Sequence, residues 1–172
     1  MSDVRIETDR LILKEITLED SDFIVRLRSN PEVYKYFKNP IKIDIESHNK
    51  WFNESYIKDD NRIDMLAIHK TTGENIGVFG IKRIIRMENE SLYRGLCKAE
   101  LSYILSADKI GNGFATEALE GIINEFKIIW KIRFFSAEIH KSNKESIRFI
   151  ERLGFRLNNS EGEMLEYALY KD

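Results

Sequence analysis

The spacing of apolar positions changes several times along the chain, and each change marks a predicted element. Residues 4–14 alternate in a strand-like way and end in Leu11-Ile12-Leu13, which predicts a first strand. Thr17 with Asp20 three residues on forms a near-capping box ahead of Phe23, Ile24 and Leu27, predicting a helix that Asn30-Pro31 stops. Ile45, His48, Trp51, Phe52 and Ser55 recur at spacings of three and four, the mark of a second helix over about 44–56. Residues 63–69 and 75–85 flank Thr71-Thr72-Gly73-Glu74, which has the composition of a hairpin turn, and 99–106 reads as a further strand. A helix over 116–130 sets Leu119, Ile122, Ile123, Phe126 and Ile129 on one face, and 132–139 is strand-like. Ser142-Asn143-Lys144-Glu145 matches an S-x-x-E capping box opening a helix with Ile147, Ile150 and Leu153 inward, and Gly154 supplies its stop. A last strand, 164–170, is expected to pair with the short segment 155–157. The predicted order is β-α-α-β-β-β-α-β-α-β-β, an α/β (α+β) fold around one mixed sheet flanked by helices. With no repeat or linker in view, residues 1–172 read as a single domain.

Composition narrows the function classes. Two prolines and nine glycines in 172 residues, with 42% hydrophobic and 33% charged, exclude fibrous and disordered classes. Lys and Arg total 27 against 29 Asp and Glu, a net charge of −2, so no basic field is available for nucleic acid or an anionic membrane. No apolar run approaches the ~18 residues that span a bilayer, and Met1-Ser2-Asp3-Val4-Arg5 carries no targeting pattern. The single cysteine, Cys97, has no internal disulfide partner. The expectation is a reduced, cytoplasmic protein, monomer or homodimer, with neither nucleic acid nor membrane as partner. Lone Cys97 reads as a small apolar residue. The three histidines, His48, His69 and His140, lie at no metal-ligand spacing, so no metal is expected.

The candidate chemistry sits between the predicted strand at 99–106 and the helix after it. Leu105-Ser106-Ala107-Asp108-Lys109-Ile110-Gly111-Asn112-Gly113-Phe114-Ala115-Thr116 ends a strand, turns on two glycines and starts a helix at once. Such a turn can aim several backbone N–H groups and the positive helix end at one anion, most simply a pyrophosphate. Side chains at the glycine positions would hold the phosphate off. An ordinary strand–helix loop has the same composition. The chain lacks G-x-x-x-x-G-K-[ST], and neither a third glycine nor a downstream acid completes a dinucleotide fingerprint, so the phosphate-bearing ligand is neither ATP nor NAD.

The run Ala99-Glu100-Leu101-Ser102-Tyr103-Ile104-Leu105, followed by Ile110 to Ala115 and Thr116-Glu117-Ala118-Leu119, resembles the acetyl-CoA-binding motif of the GNAT N-acetyltransferase superfamily, Q/R-x-x-G-x-G/A. Thr8-Asp9-Arg10-Leu11-Ile12-Leu13, Asn75-Ile76-Gly77, and Asn143-Lys144-Glu145-Ser146-Ile147 through Gly154-Phe155 resemble its ribosomal-protein-alanine acetyltransferase (RimJ/RimL-like) branch. The resemblance implies a mostly antiparallel GNAT sheet and transfer of an acetyl group from acetyl-CoA, as co-substrate, to a primary amine such as a protein N-terminus, by direct attack in a ternary complex. It implies that Tyr103, Ile104 and Leu105 pair their backbone with the pantetheine amides. It further implies that Ile110, Gly111, Asn112, Gly113, Phe114, Ala115 and Thr116 hold the pyrophosphate, that Asn143 bonds the pantetheine arm, and that Ser146 protonates the departing thiolate. Glu100, at the thioester end of its strand, is the first candidate base, acting through a water, and Glu138 the second. An amine entering already deprotonated needs neither.

Two positions depart from the pattern. Ile110 stands where Gln or Arg is usual, and Ile150 where many members place a protonating tyrosine. The acceptor wall in this superfamily corresponds here to Tyr34-Lys35-Tyr36-Phe37 with His48 and Trp51, and to residues 86–96. The plainer reading of Trp51 and Phe52 is an amphipathic helix buried in the core. Arg28-Ser29-Asn30-Pro31-Glu32-Val33 and Ser47-His48-Asn49-Lys50-Trp51-Phe52 also resemble enzymes acting on nucleotide-linked amino sugars, which keeps a sugar amine or other small amine open as acceptor. A non-catalytic CoA-binding protein is the alternative of another class.

Overall fold

The computed structural model describes residues 4–37, 43–88 and 94–172. The expectations that rest on residues 1–3 and on 89–93 of the acceptor wall lie outside the described residues.

The first apolar run forms two strands, where one was predicted: β1 (Arg5–Glu7) and β2 (Leu11–Glu15), paired antiparallel. The polar triplet Thr8-Asp9-Arg10 turns the chain, with Thr8 N–H donating to the Leu11 carbonyl and Leu11 N–H donating back to Thr8 Oγ1. After one 3₁₀ turn comes α1 (Ser21–Arg28); the Asp20 carboxylate before it accepts from Thr17 N–H and pairs with Lys14 at 2.8 Å. Asn30-Pro31 ends α1 as predicted and also starts an unpredicted short helix, α2 (Pro31–Tyr34). Asn30 accepts from Glu32 N–H, and proline at the first helical position gives up no hydrogen bond. Asp44 and Ser47 cap α3 (Ile45–Glu54) reciprocally.

The hairpin β3 (Ile63–His69) and β4 (Asn75–Arg86) follows, then β5 (Cys97–Leu105), α4 (Phe114–Ile129), β6 (Ile132–His140), α5 (Lys144–Arg152), β7 (Arg156–Asn159) and β8 (Met164–Tyr170). The sheet order is β1-β2-β3-β4-β5-β6-β8-β7, and every described pairing is antiparallel except β5 with β6. A parallel neighbour requires a crossover, and α4 is that crossover. The cap of α5 is Asn143 and not Ser142: Asn143 Oδ1 accepts from Ser146 N–H at 3.1 Å, whereas Ser142 N–H donates to His140 Nδ1.

Period-two alternation in β3 and β4 divides the core. Met65, Ala67, Phe79 and Ile81 join α4 residues Ala118, Leu119, Ile122, Ile123 and Phe126, while Leu66, with Ile68 and Val78 against it, joins Ile24 of α1 and Phe52 of α3. Ile129, predicted on the buried face of its helix, is 43% exposed. Trp130, its ring 5.0 Å from that of Phe126, covers that end of the core instead.

Gly77 of β4 faces Leu105 of β5, and a Cβ there would collide with the Ile104 carbonyl. Gly77→Ala should lower stability by about 1–3 kcal/mol through overpacking against backbone, read as a fall in Tm of roughly 2–10 °C in thermal denaturation. An unchanged Tm would contradict so close an approach of the two strands.

Candidate active site

The parallel ladder between β5 and β6 runs only from Cys97↔Ile132 to Glu100↔Ser136. Beyond it β5 stays paired with β4 and β6 with β8, so the two strands part. From Leu101 to Leu105 the β6-facing edge of β5 has no strand partner, and its peptide groups are open to a ligand that pairs as a strand does. A cavity of about 870 Å³ fills this wedge, lined by 101–105, by the turn after β5, by Asn143 and Ser146 of the α5 start, and by residues of α1, α2 and α3. That volume lies in the range of ligand sites.

At one end of the cavity the turn takes the form its glycines allow. Gly111 and Gly113 have φ of 83° and 77°, and Gly113 is the N-cap of α4. The N–H groups from Gly111 to Thr116 have no acceptor among the described residues; Glu117 N–H is the first to be satisfied, by the Gly113 carbonyl at 3.1 Å. Six free donors at a helix start suit an anion. A Cβ on Gly111 would meet nothing within 4 Å, so the turn stands open on its outer side. The Ile110 side chain is 57% exposed and adds no polar group. Asn112 turns away: its amide donates to the carbonyls of Lys109 and Ile110, and it lines a separate depression and not the main cavity.

The β1–β2 turn clamps this segment, a role not predicted from the sequence. Glu117 of α4 accepts from Thr8 Oγ1, Arg10 N–H and Arg10 Nε, the last at 2.7 Å. Burial works to raise the Glu117 carboxyl, but the hydrogen bonds from Thr8 and Arg10 outweigh it and hold it below its ordinary value. Arg10 also donates to the Asn112 carbonyl at 3.0 Å and lies 4.5 Å over the Phe114 ring. Thr8-Asp9-Arg10 carried the resemblance with no role attached, because its partner lies more than 100 residues away.

In the middle of the cavity, the hydroxyls of Tyr103 and Ser146 share a hydrogen bond of 2.6 Å in which either can donate. Burial pushes the Tyr103 phenol up to about 12, against the lowering effect of Ser146. The Tyr103 ring meets Phe149 edge-on at 5.4 Å. Asn143 spends its amide oxygen on the cap of α5, while its NH₂ has no partner among the described residues. Ile150, at the position of the missing tyrosine, is fully buried.

Glu100 lines the cavity but is buried, and each carboxylate oxygen has a cation: Lys82 at 2.9 Å and Arg83 at 2.5 Å. Arg83 reaches it from an irregularity in β4 between Lys82 and Ile85, where it adopts φ 52°. Glu138 also lines the cavity, is more exposed, and has Arg83 only at 3.7 Å.

The far end holds the acceptor-wall residues, and here the positions differ. Trp51 lines the cavity, with the Arg62 guanidinium 5.0 Å from its ring. His48 does not: it is 2% exposed, its ring nitrogens have no partner among the described residues, and burial, with Arg28 nearby, lowers its pKa. It lies four residues before Phe52, on the inner face of α3. Tyr34 is half-buried and also off the cavity wall, whereas Tyr36 and Phe37 line it. Arg28 lines the same end, 5.7 Å from the Phe37 ring. Burial, and then the Arg62 charge, lower the Arg28 pKa, with Asp64 opposing. Among the described residues no group of three or more His, Cys, Asp or Glu could hold a metal, and no helix is long and apolar enough to cross a membrane.

A model of the acetyltransferase (GNAT) domain matches residues 10–156. The chain belongs to the GNAT acetyltransferase family. Its relatives include the uncharacterized N-acetyltransferase p20 of Bacillus licheniformis, 29% identical over 168 residues, 95% of this chain and 87% of that one. The uncharacterized N-acetyltransferase YoaA of Bacillus subtilis is 27% identical over 165 residues, 94% and 86% of the two chains. Among solved structures, RimL, a ribosomal L7/L12 alpha-N-protein acetyltransferase in complex with coenzyme A, superposes with a TM-score of 0.81 at 17% identity, over 98% of this chain and 99% of that one. Spermidine N-acetyltransferase from Vibrio cholerae, in complex with CoA and spermine, gives 0.77 at 17% identity, over 94% and 95%. The eight-stranded, mostly antiparallel sheet flanked by helices is the GNAT fold, and as a GNAT protein the chain is an N-acetyltransferase.

Proposed function

We propose that this GNAT protein transfers the acetyl group of acetyl-CoA to a primary amine by direct attack, both substrates sharing the wedge between β5 and β6. The observation that carries the reading is the alignment, along one cavity, of the glycine turn with its free N–H groups, the open edge of 101–105 and the Tyr103–Ser146 hydroxyl pair. The N–H array suits a pyrophosphate, the strand edge suits the amides of a pantetheine arm, and the Asn143 NH₂ is a free donor beside it. Acetyl-CoA supplies the activated thioester. On this reading Ser146 gives a proton to the departing sulfur, the role the RimJ/RimL-like resemblance implies, and the likeness to RimL supports that branch. Of the two carboxylates, Glu138 is the better candidate to accept the amine's proton through a water, because both Glu100 oxygens already hold cations.

Saturating acetyl-CoA should raise Tm by linkage: at a hundredfold excess over Kd the gain is about 2.7 kcal/mol, roughly 5–10 °C for a chain of this size. Release of CoA thiol on adding a peptide with a free N-terminus, an amino sugar or a polyamine then tests catalysis and sorts the acceptor. Absence of a thermal shift would overturn the cofactor assignment. A shift without thiol release from any amine would leave a CoA-binding protein and no enzyme.

A further inference from the structure

Several of the charged groups that line the cavity are matched one against another. Asp64 is taken by Arg62 at 2.6 Å, Glu100 by Lys82 and Arg83, Glu32 by Lys35, and Glu138 has Arg83 at 3.7 Å. Arg28 lines the same cavity and has no carboxylate within 4 Å and no hydrogen-bond acceptor among the described residues. Its neighbours are the Phe37 ring, the like charge of Arg62 and, beyond ion-pair contact, the Asp64 carboxylate that Arg62 already holds. A half-buried guanidinium between an aromatic ring and a second cation is costly to leave uncompensated. Its planar fork of donors matches a carboxylate.

Resting on the proposed acetyl transfer, we infer that Arg28 is the anchor for a carboxylate on the acceptor, so that the substrate is a small amine bearing an acidic group and not a polyamine. The carboxylate would pair with Arg28, while the amine faces Glu138. A polyamine would place further ammonium groups beside Arg28 and Arg62, and like-charge contacts of this kind disfavour a partner. Trp51 and Phe37, each carrying a guanidinium over its ring, would wall the spacer between the acceptor's two charged ends.

The test compares acceptors that differ in that charge, with kcat/KM taken per free amine, because a carboxylate beside an amine also makes that amine more basic. With the full chain and acetyl-CoA, CoA-thiol release is measured for L-alanine against L-alaninamide, for the peptide amide Ser-Glu-Gly against Ser-Gln-Gly, and for spermidine. A charged hydrogen-bonded pair is worth about 1.5–3 kcal/mol, so the acid should exceed its amide in kcat/KM by roughly 10- to 100-fold, mostly through KM. The first pair reads a free amino acid, the second an acidic side chain. Arg28→Met keeps the stem and removes the charge; it should erase the preference, while Arg28→Lys retains part of it. Arg26→Met, an exposed site on the same helix, should retain all of it. The acetyl-CoA thermal shift of Arg28→Met should match the wild type, which shows that the variant is folded and that Arg28 serves the acceptor and not the cofactor. Binding of L-alanine and L-alaninamide to the CoA-loaded protein, followed by NMR shifts, reads the preference without turnover, so failure of the catalytic reading stays separate. Equal use or binding of acid and amide, preference for spermidine, or an acid preference that survives Arg28→Met would each overturn the inference.

Discussion

Replacing Gly113 by valine will abolish the thermal shift produced by acetyl-CoA and reduce acetyl transfer by at least a hundredfold. Gly113 sits at φ 77°, a left-handed conformation that a β-branched residue tolerates only at a cost of about 1–3 kcal/mol. Among the described residues, chain neighbours apart, a Cβ there would meet Arg10 Nη2 alone within 4 Å, at 3.4 Å, so the chain should still fold. What changes is the outer side of the turn: a branched side chain would stand among the N–H groups of 111–116 and hold a phosphate beyond hydrogen-bond reach. Strain and obstruction separate in a control. Gly162, in the β7–β8 turn, has φ 87° with nothing within 4 Å of its Cβ, so Gly162→Val carries the same backbone cost far from the candidate phosphate turn. Differential scanning fluorimetry should show both variants melting lower than wild type without ligand, and only Gly162→Val recovering with acetyl-CoA. A normal shift in Gly113→Val would mean that the phosphates bind elsewhere.

Ser146→Ala should lower kcat by about 10²-fold or more, the usual contribution of a positioned general acid, with little change in the KM for acetyl-CoA. The substitution spares the cap of α5, since Asn143 bonds the backbone N–H of residue 146 and not its hydroxyl. Tyr103→Phe should cost less, about tenfold, since in the proposed reaction the phenol acts through Ser146. When Ser146 gives its proton away, the Tyr103 hydroxyl can donate to the oxygen left behind, and without it that oxygen is stabilised by one hydrogen bond fewer. The sign of the pH effect follows from burial. A phenol pushed up to about 12 stays protonated from pH 6 to 9, so Tyr103→Phe should lower the kcat profile without moving its inflections in that range. Stopped assays of kcat across that range check both variants. A new inflection in Tyr103→Phe, or full activity in Ser146→Ala, would remove the pair from the reaction.

The glycine turn before α4 was legible in the sequence because its requirement is local: two glycines and a helix start lie within a few residues, and backbone N–H groups need no distant partner. The period of two in β3 and β4 was legible for a similar reason, since adjacent side chains must face opposite sides of a sheet. The first strand was misread because Thr8-Asp9-Arg10 interrupts the apolar pattern for only three residues, and its turn is held in part by Glu117, far along the chain. The family resemblance put His48 and Trp51 together as acceptor residues, yet helical periodicity could not tell which of them faces the core and which the cavity.

Local patterning therefore established the mixed α/β order, the glycine turn at a helix start and the family resemblance, because hydrophobic period, capping and glycine placement act over a few residues. Tertiary structure settled what depends on contacts between distant segments. The parting of β5 from β6, the meeting of Tyr103 with Ser146, the cations on Glu100 and the unpaired charge of Arg28 all depend on how strands and helices pack. Pairing, burial and charge compensation are properties of neighbours in space, and no run of adjacent residues encodes them alone.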